Sequence, residues 1–565
     1  MDTKDKIRRI SLENALKFKG KANPGAVIGK MLSEIPELKD DMKKLAKEVQ
    51  NIIKEVNSLS PEKQAAEFDK FPKEETSEKT KKEKNDLKHE LPELPNAIMG
   101  KVVTRIPPEP SKYAHIGHAL SFLINYMYAK KYNGKCLLKF EDTNPEKCSQ
   151  EFAKAMEEDI LGYLGVQADV IYISDYMDWM YKEAEKLISL GSAYVCLCNR
   201  DEMQDNRHKG SACSHCKSQK EDTLKLWKNM LAGKYKGGEA VLRLKGDMKA
   251  DNQVMRDPVM FRVSHATHFR QNDKYCVWPL YDFENSVMDC KFGVTHVLRS
   301  NEFGEMRNEL QAYIKKLLGY DVQTVVHYGR FNISGSVSQG REIRKLIEDG
   351  KVEDWDDPSL VTLRALKRRG IVKETLIELV FQVGLSLTKT NIDWTVVESI
   401  NRSILDRQAN RYFFVHDPKE IKIAGAPAQD IYLKAHPEKE EKSRHFKTHD
   451  SFYVTKDDFE KFDNGKLIRL MDCLNFKTEG NKFKFDSLDH ESYKKNSGMI
   501  IHWLPKSDNL VNVEVRMPDS EIKKGLAEAS VSKLNEGDII QFARFGFCRL
   551  DKIEKDKLVF WFTTK

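Results

Sequence analysis

The chain is 565 residues long, more than a single hydrophobic core organises, so several domains are expected. It is 40% hydrophobic and 32% charged, and no apolar run nears the roughly 18 residues of a membrane helix, which points to a soluble, cytoplasmic protein. A net charge of +7 permits a polyanionic partner without demanding one, and ten cysteines in such a chain do not suggest a disulfide framework.

Residues 1–91 read as a helical, charged appendage and linker. Leu38, Met42, Leu45, Val49, Ile52, Val56 and Leu59 alternate four and three apart, the stripe of an amphipathic helix. The stripe predicts packing within its own domain, with a protein-partner site on these helices as the alternative. "KEETSEKTKKEKNDLKHE" (73–90) carries twelve charged residues in eighteen and no apolar period, which predicts a solvated linker.

From residue 92 the texture changes. "KVVTRI" predicts a strand, "PPEPSKYA" a rigid loop, "HIGHALSFLINYMYAKKYNG" a helix ended by Asn133-Gly134, and "KCLLKFE" a second strand. This βαβ order predicts an α/β fold with a Rossmann-like parallel-sheet catalytic domain. Its ligands would sit at the carboxyl ends of the strands, where "RIPPEPSKYAHIGH" and "EDTNP" lie side by side. The catalytic halves are placed at 92–193 and 271–339, the second carrying "FGVTHVLRSNEF" and "TVVHYGRFNIS". Residues 194–270 interrupt them with a cysteine cluster and short strands. Residues 340–403 read helical and basic around Lys367, Arg368 and Arg369, and 404–565 read as short strands between turns, predicting C-terminal antiparallel β-barrels. No internal repeat is evident.

Two motifs carry chemistry. His115 and His118 flank Gly117 where a helix begins, and a helix N-terminus presents unpaired N–H groups and partial positive charge. The turn predicts a phosphate site in which both histidines donate to phosphate oxygens and Gly117, lacking a Cβ, permits close approach. Such fixed donors stabilise charge developing in a displacement at phosphorus. Further on, "CLC" (196–198) and "CSHC" (213–216) put four thiols at paired spacings. They predict a structural Zn²⁺ held by Cys196, Cys198, Cys213 and Cys216, with His215 or His208 replacing a cysteine as alternatives.

His115-Ile116-Gly117-His118 resembles the H-I-G-H element of class I aminoacyl-tRNA synthetases, and "TRIPPEPSKYAHIGHA" with "FEDTNPEK" is similar to the glutamyl/glutaminyl branch of that class. The resemblance implies that Arg105 and Glu141 hold the amino-acid substrate, with a helix cap as the plain alternative for Glu141. It implies that Glu109, His115, Gly117 and His118 serve ATP, which comes with Mg²⁺, and that Tyr281 and Asn285, one helical turn apart, line the amino-acid pocket. Arg299 falls where glutamate-specific members read the γ-carboxylate, a group that a guanidinium pairs with through two parallel bonds.

The second ATP motif of the class, K-M-S-K-S, is degenerate here. By length it falls near Val337–Arg341, so Ser338 and Arg341 are the implied ATP contacts, and Arg341, or Arg344 and Lys345, would replace the missing lysine. "NRYFFVHDPKEI" resembles the opening of the family's anticodon-binding barrel, which implies that Arg411 reaches a tRNA base.

Taken together the residues most resemble glutamyl-tRNA synthetases of the archaeal/eukaryotic type. The implied reaction activates L-glutamate with ATP and transfers it to the terminal adenosine of tRNA(Glu), in a monomeric enzyme. A glutaminyl-tRNA synthetase, or an enzyme that also glutamylates tRNA(Gln), is the nearest rival. A non-catalytic tRNA-binding paralogue and a tRNA-modifying glutamyl transferase are more distant ones.

Overall fold

The computed structural model describes residues 3–17, 20–34, 42–68, 71, 90–333, 340–387, 390–440, 444–480, 482–491, 493, 498–519 and 521–565. The chain divides into two compact units, 1–88 and 89–565. Among the described residues no helix is long and apolar enough to cross a membrane.

The first unit holds helices α1 (Thr3–Lys17), α2 (Pro24–Glu34), α3 (Met42–Asn57) and α4 (Pro61–Phe68). Ile7, Ile10, Val27, Leu45, Val49, Ile53 and Val56 form its core. On α3 the buried position is Ile53, while Ile52 is only partly covered, because a straight helix drifts from the 3.5-residue stripe toward its own 3.6 period. Arg8 on α1 bridges Glu55 and Glu67, at 2.7 and 2.9 Å, and so ties α1 to α3 and α4. Leu38, and all of the predicted linker but its last residue, lie outside the described residues.

In the second unit, β1 (Val103–Ile106), β2 (Lys135–Phe140) and β3 (Asp169–Tyr172) form a parallel sheet in the order β1-β2-β3. Helix α5 (Ile116–Lys131) is the crossover from β1 to β2. Asn133 sits at φ +49°, and a Cβ on Gly134 would lie 2.0 Å from the Val102 carbonyl oxygen, so this turn requires the Asn-Gly pair that ends the helix. A four-stranded antiparallel sheet follows, of β4 (Ala193–Cys196), β5 (Val241–Leu244), β6 (Val259–Val263) and β7 (Val277–Pro279). It takes in more of the chain than 194–270, because β7 pairs with β6.

The chain then returns through helix α6 (Tyr281–Lys291), strand β8 (His296–Ser300), helix α7 (Gly304–Leu318) and strand β9 (Thr324–Tyr328). Strands β8 and β9 are parallel, and Thr295 N–H donates to the Val103 carbonyl at 3.0 Å, which sets them beside β1. The order β3-β2-β1-β8-β9 reverses direction between β1 and β8, the crevice where doubly wound sheets bind ligands.

Helices follow at Gly340–Glu348, Leu363–Arg369, Lys373–Val383 and Trp394–Leu405. The basic run there is not an open cationic face. Arg368 pairs with Asp551 at 2.9 Å and Arg369 with Glu398 at 2.9 Å, both largely buried, so these arginines bind the protein to itself. The remainder forms two seven-stranded sheets, predominantly antiparallel, and a two-stranded antiparallel pair, Gln429–Leu433 with Arg444–Thr448.

Candidate active site and metal centre

The histidine turn is a reciprocal cap. His115 is the N-cap of α5, and its Nδ1 accepts from the Gly117 N–H at 3.1 Å; His118 Nδ1 accepts from the His115 N–H at 3.1 Å. This is the physical content of the H-x-x-H spacing: N-cap and third helical residue exchange bonds. Both Nδ1 atoms are acceptors, so in the neutral rings both Nε2 atoms carry the hydrogen and remain as donors. Burial, then Lys112 and Arg330, lowers His115 to about 4, and burial with His115 and Lys112 holds His118 well below the usual value. The Gly117 N–H is engaged by a ring, so the rings take the place of open backbone donors. A Cβ on Gly117 would stand 3.0 Å from His115 Cε1 and 3.1 Å from the Phe331 oxygen, which explains the glycine.

Beside the turn lies a cavity of about 350 Å³, lined among others by Glu109, Lys112, His118, Glu141, Tyr281 and Arg299, with Arg105 at its floor. Glu141 N–H donates to the Pro108 carbonyl at 2.9 Å, fastening the two strand-end loops together. Asn144 Nδ2 donates to Glu109 at 3.4 Å. Arg105 is 1% exposed; its Nε donates to Asp289 Oδ2 at 3.3 Å, and Lys139 holds the other carboxylate oxygen at 2.6 Å. Burial raises the Asp289 carboxyl, yet these two cations bring it down to about 2. Glu141 is raised by burial against the pull of Lys139 and Arg105, and Glu284, buried beside it and bonded to Thr143, is raised well above the usual carboxyl range by burial and by Glu141.

Arg105 Nη1 and Glu141 Oε1 are buried without a hydrogen-bond partner among the described residues. Orphans of that kind are costly unless a ligand completes them. Arg299 donates to the amide oxygens of Gln311, at 3.2 Å, and Asn308. Asp282, nearby, is matched by Arg307.

Asn285 stands behind the cavity wall, accepting from Lys139 at 3.1 Å. Lys139 and Asp289 are passed over by the motif reading, although each left a signal. Lys139 is a cation inside the apolar run "KCLLKF", and Asp289 is two turns beyond Tyr281 on the same face of α6.

A crystal structure of glutamate-tRNA synthetase from Elizabethkingia anophelis aligns at a TM-score of 0.41 and 17% identity, across 55% of this chain and 72% of that one. The chain is 41%, 40% and 40% identical to glutamate–tRNA ligases of Pyrococcus furiosus, Pyrococcus abyssi and Methanocaldococcus jannaschii, over 98–99% of its length and 99% of theirs. The family model of the tRNA synthetases class I (E and Q), catalytic domain, matches residues 101–407; two anti-codon binding domain models of the same group match 409–491 and 500–551. The chain belongs to the class I (E and Q) tRNA synthetases.

In this class I chain the cysteine cluster is not quite the predicted set. Cys196, Cys198, Cys213 and His215 present donor atoms all within 4.8 Å of one another, and Cys216 is not among them. His215, the alternative to a cysteine in the sequence reading, belongs to this group in place of Cys216. A tetrahedral zinc with Zn–S near 2.3 Å and Zn–N near 2.05 Å sets S···S at about 3.8 Å and S···N at about 3.6 Å. Cys196 and Cys213 sulfurs stand 3.7 Å apart, and His215 Nδ1 lies 3.5 Å from Cys198 and 4.0 Å from Cys196. The donor set fits zinc.

Among the remaining predicted contacts, Ser338 lies outside the described residues. Arg341 is exposed on the helix Gly340–Glu348. Arg411 opens a short strand and pairs with Asp406 at 2.9 Å.

Proposed function

We propose that this synthetase-family member is a cytoplasmic, monomeric enzyme that activates L-glutamate with ATP and transfers it to tRNA(Glu). A carboxylate oxygen of glutamate attacks the α-phosphorus of ATP, the bond to the bridging oxygen breaks, and pyrophosphate departs with the electron pair. The 2′-hydroxyl of the terminal adenosine, as class membership implies, then attacks the adenylate carbonyl and gives up its proton, and the bond to phosphate breaks as AMP departs. No protein side chain becomes covalently attached; positioning and fixed charge lower the barrier.

The observation that carries this reading is the charge of the cavity and its floor. Arg105, Lys112, Lys139 and Arg299 oppose Glu109, Glu141 and Asp289, one positive charge in excess with the buried Glu284 held toward its neutral form. Glutamate, with two carboxylates and one ammonium, supplies the missing negative charge, and glutamine does not. Glu141 accepts from the α-ammonium, Arg105 and Tyr281 orient the substrate, Arg299 takes the γ-carboxylate, and Lys139, Asp289 and Asn285 hold that set in place.

His115 and His118 donate their Nε2–H groups to the phosphates, Glu109 sits at the nucleotide edge, and ATP brings Mg²⁺, which would neutralise phosphate charge. Zn²⁺ at Cys196, Cys198, Cys213 and His215 would pin two loops and has no open position for chemistry. Arg411 faces the anticodon arm of the tRNA. Glutamate-dependent ATP–pyrophosphate exchange, followed by aminoacylation of purified tRNA(Glu) and tRNA(Gln), tests this. Exchange with glutamine in preference to glutamate contradicts it, and charging of tRNA(Gln) makes the enzyme non-discriminating.

A further inference from the structure

We propose that Lys112 is the cation that grips the polyphosphate leaving group of ATP, in the place the second motif leaves without its lysine. The inference deepens the function proposed above and rests on it. The loop on either side of Lys112 is pinned. Ser149 N–H donates to the Pro110 carbonyl at 3.1 Å, Ser111 N–H to the Glu109 carbonyl at 2.8 Å, and the Tyr113 ring is buried between Phe152 and Trp355, 5.2 and 5.1 Å away. This loop gives the cavity Pro107, Pro108, Glu109, Ser111 and Lys112, and Lys112 is the cation among them.

Its setting points to phosphate. The stem of Lys112 lies against the start of the helix Gly340–Glu348, where a Cβ on Gly340 would meet it at 4.0 Å. Lys112 thus stands next to the end of the degenerate motif. Its ammonium is close enough to His115 and His118 to disfavour their charged forms. Among the described residues no carboxylate lies within 4.0 Å of it. Arg330 pairs with Glu302 at 2.6 Å, and Arg105 and Arg299 belong to the amino-acid end of the cavity, Arg105 paired with Asp289 and Arg299 bonded to the amides of Asn308 and Gln311.

When the bond from the α-phosphorus to its bridging oxygen breaks, pyrophosphate takes the electron pair and its charge grows. A cation fixed at the histidine end of the cavity stabilises that charge more in the transition state than in bound ATP.

The test compares wild type, Lys112→Met and Lys112→Arg in glutamate-dependent ATP–pyrophosphate exchange. Lys112→Met is expected to lower kcat/KM for ATP by about 10- to 100-fold, as for loss of one charged contact. KM for glutamate should stay near wild type, and Lys112→Arg should recover most of the loss. Wild-type kcat/KM for ATP in Lys112→Met, or equal losses for ATP and glutamate, overturns the assignment. If the wild type exchanges no pyrophosphate with glutamate, it is the reaction that is misassigned. Calorimetric binding of ATP to the same variants then judges Lys112 alone: weaker binding to Lys112→Met supports it, and unchanged binding overturns it.

Discussion

His118 shows how one side chain serves two ends at once. Its Nδ1 closes the cap of α5, and its ring lines the cavity with Nε2–H left over as a donor. Replacing it by Ala removes both, so the cost divides. Loss of a cap destabilises by about 0.5–2 kcal/mol, and loss of a hydrogen bond to a charged phosphate, about 1.5–3 kcal/mol, slows adenylate formation by roughly 10- to 100-fold. Pyrophosphate exchange and urea unfolding of His118→Ala measure the two parts, and a wild-type exchange rate removes the phosphate role. The pH profile carries a second expectation. With His115 lowered to about 4 by burial and then by Lys112 and Arg330, the turn stays neutral throughout pH 5–8. The exchange rate therefore has no break near pH 6.5 that disappears in His115→Ala; finding one refutes the neutral-donor reading. Arg299 governs choice of substrate. Arg299→Gln removes one side of a buried charge pair with glutamate, a loss of about 3–5 kcal/mol, or some 10²- to 10³-fold in kcat/KM. Glutamine, uncharged, loses far less. An unchanged glutamate-to-glutamine ratio in exchange assays means that Arg299 does not read the γ-carboxylate.

At the scale of elements, legibility followed the strength of the local signal. The strands "KVVTRI" and "KCLLKFE" and the helix between them announce themselves by β-branched residues, an Asn-Gly stop and apolar runs, and β1, α5 and β2 are the result. His115, Arg105, Glu141 and Arg299 are legible because they stand at strand or helix ends, where chemistry concentrates. Lys139 and Asp289 act from inside elements, and only the packing of α6 against β2 reveals their bond. The metal loop marks another boundary of what spacing tells. Paired cysteines predict a metal, but which side chain of "CSHC" joins the other donors is not written in the spacing, and the donor atoms that gather are those of Cys213 and His215. The choice is testable. Cys213→Ser and His215→Ala should each lower zinc content well below one per chain and increase hydrogen exchange across 194–220, whereas Cys216→Ser should retain its zinc. Zinc loss from Cys216→Ser restores the four-cysteine set.

The whole molecule has an order that the sequence conceals. Each C-terminal sheet contains a hairpin followed by a three-stranded meander, the last meander strand lying parallel to the first hairpin strand. The hairpin Pro418–Ala424/Ser451–Thr455 precedes Leu467–Leu470, Asn475–Glu479 and Lys482–Ser487; Val511–Arg516/Ile522–Ala527 precedes Ile539–Phe542, Gly546–Ile553 and Leu558–Thr564. Two short strands complete each sheet, Met499–Ile501 and Leu504–Pro505 after the first meander, Arg411–Tyr412 and Phe414–His416 ahead of everything else. The shared pattern is backbone pairing, which side-chain identity need not repeat, so no repeat is visible in the letters. Because the chain enters the second sheet, leaves for the first and returns, the junction between the sheets is crossed repeatedly and is stapled. Arg544, at φ +63°, grips Asp458 at 2.6 and 2.9 Å and donates to His502 Nδ1 at 3.2 Å, while His502 Nε2 donates to the Phe414 carbonyl at 2.7 Å. His502 is 4% exposed, and burial, then Arg544, lowers it to about 4 despite the opposing charge of Asp458. The unfolded chain takes up this proton near pH 6.5 and the folded chain only near 4. Stability at the junction is therefore complete above pH 6.5 and is lost as the pH falls toward 4, by roughly 3 kcal/mol, or about 100-fold in an opening constant. Hydrogen exchange of peptides covering 411–416 and 499–505, corrected for the intrinsic effect of pH, should register that loss in the wild type. In His502→Gln, which cannot titrate, the same peptides should start less protected at pH 7 and change little on acidification. If both proteins lose protection in parallel between pH 6.5 and 4.5, His502 is not the group that loosens the junction.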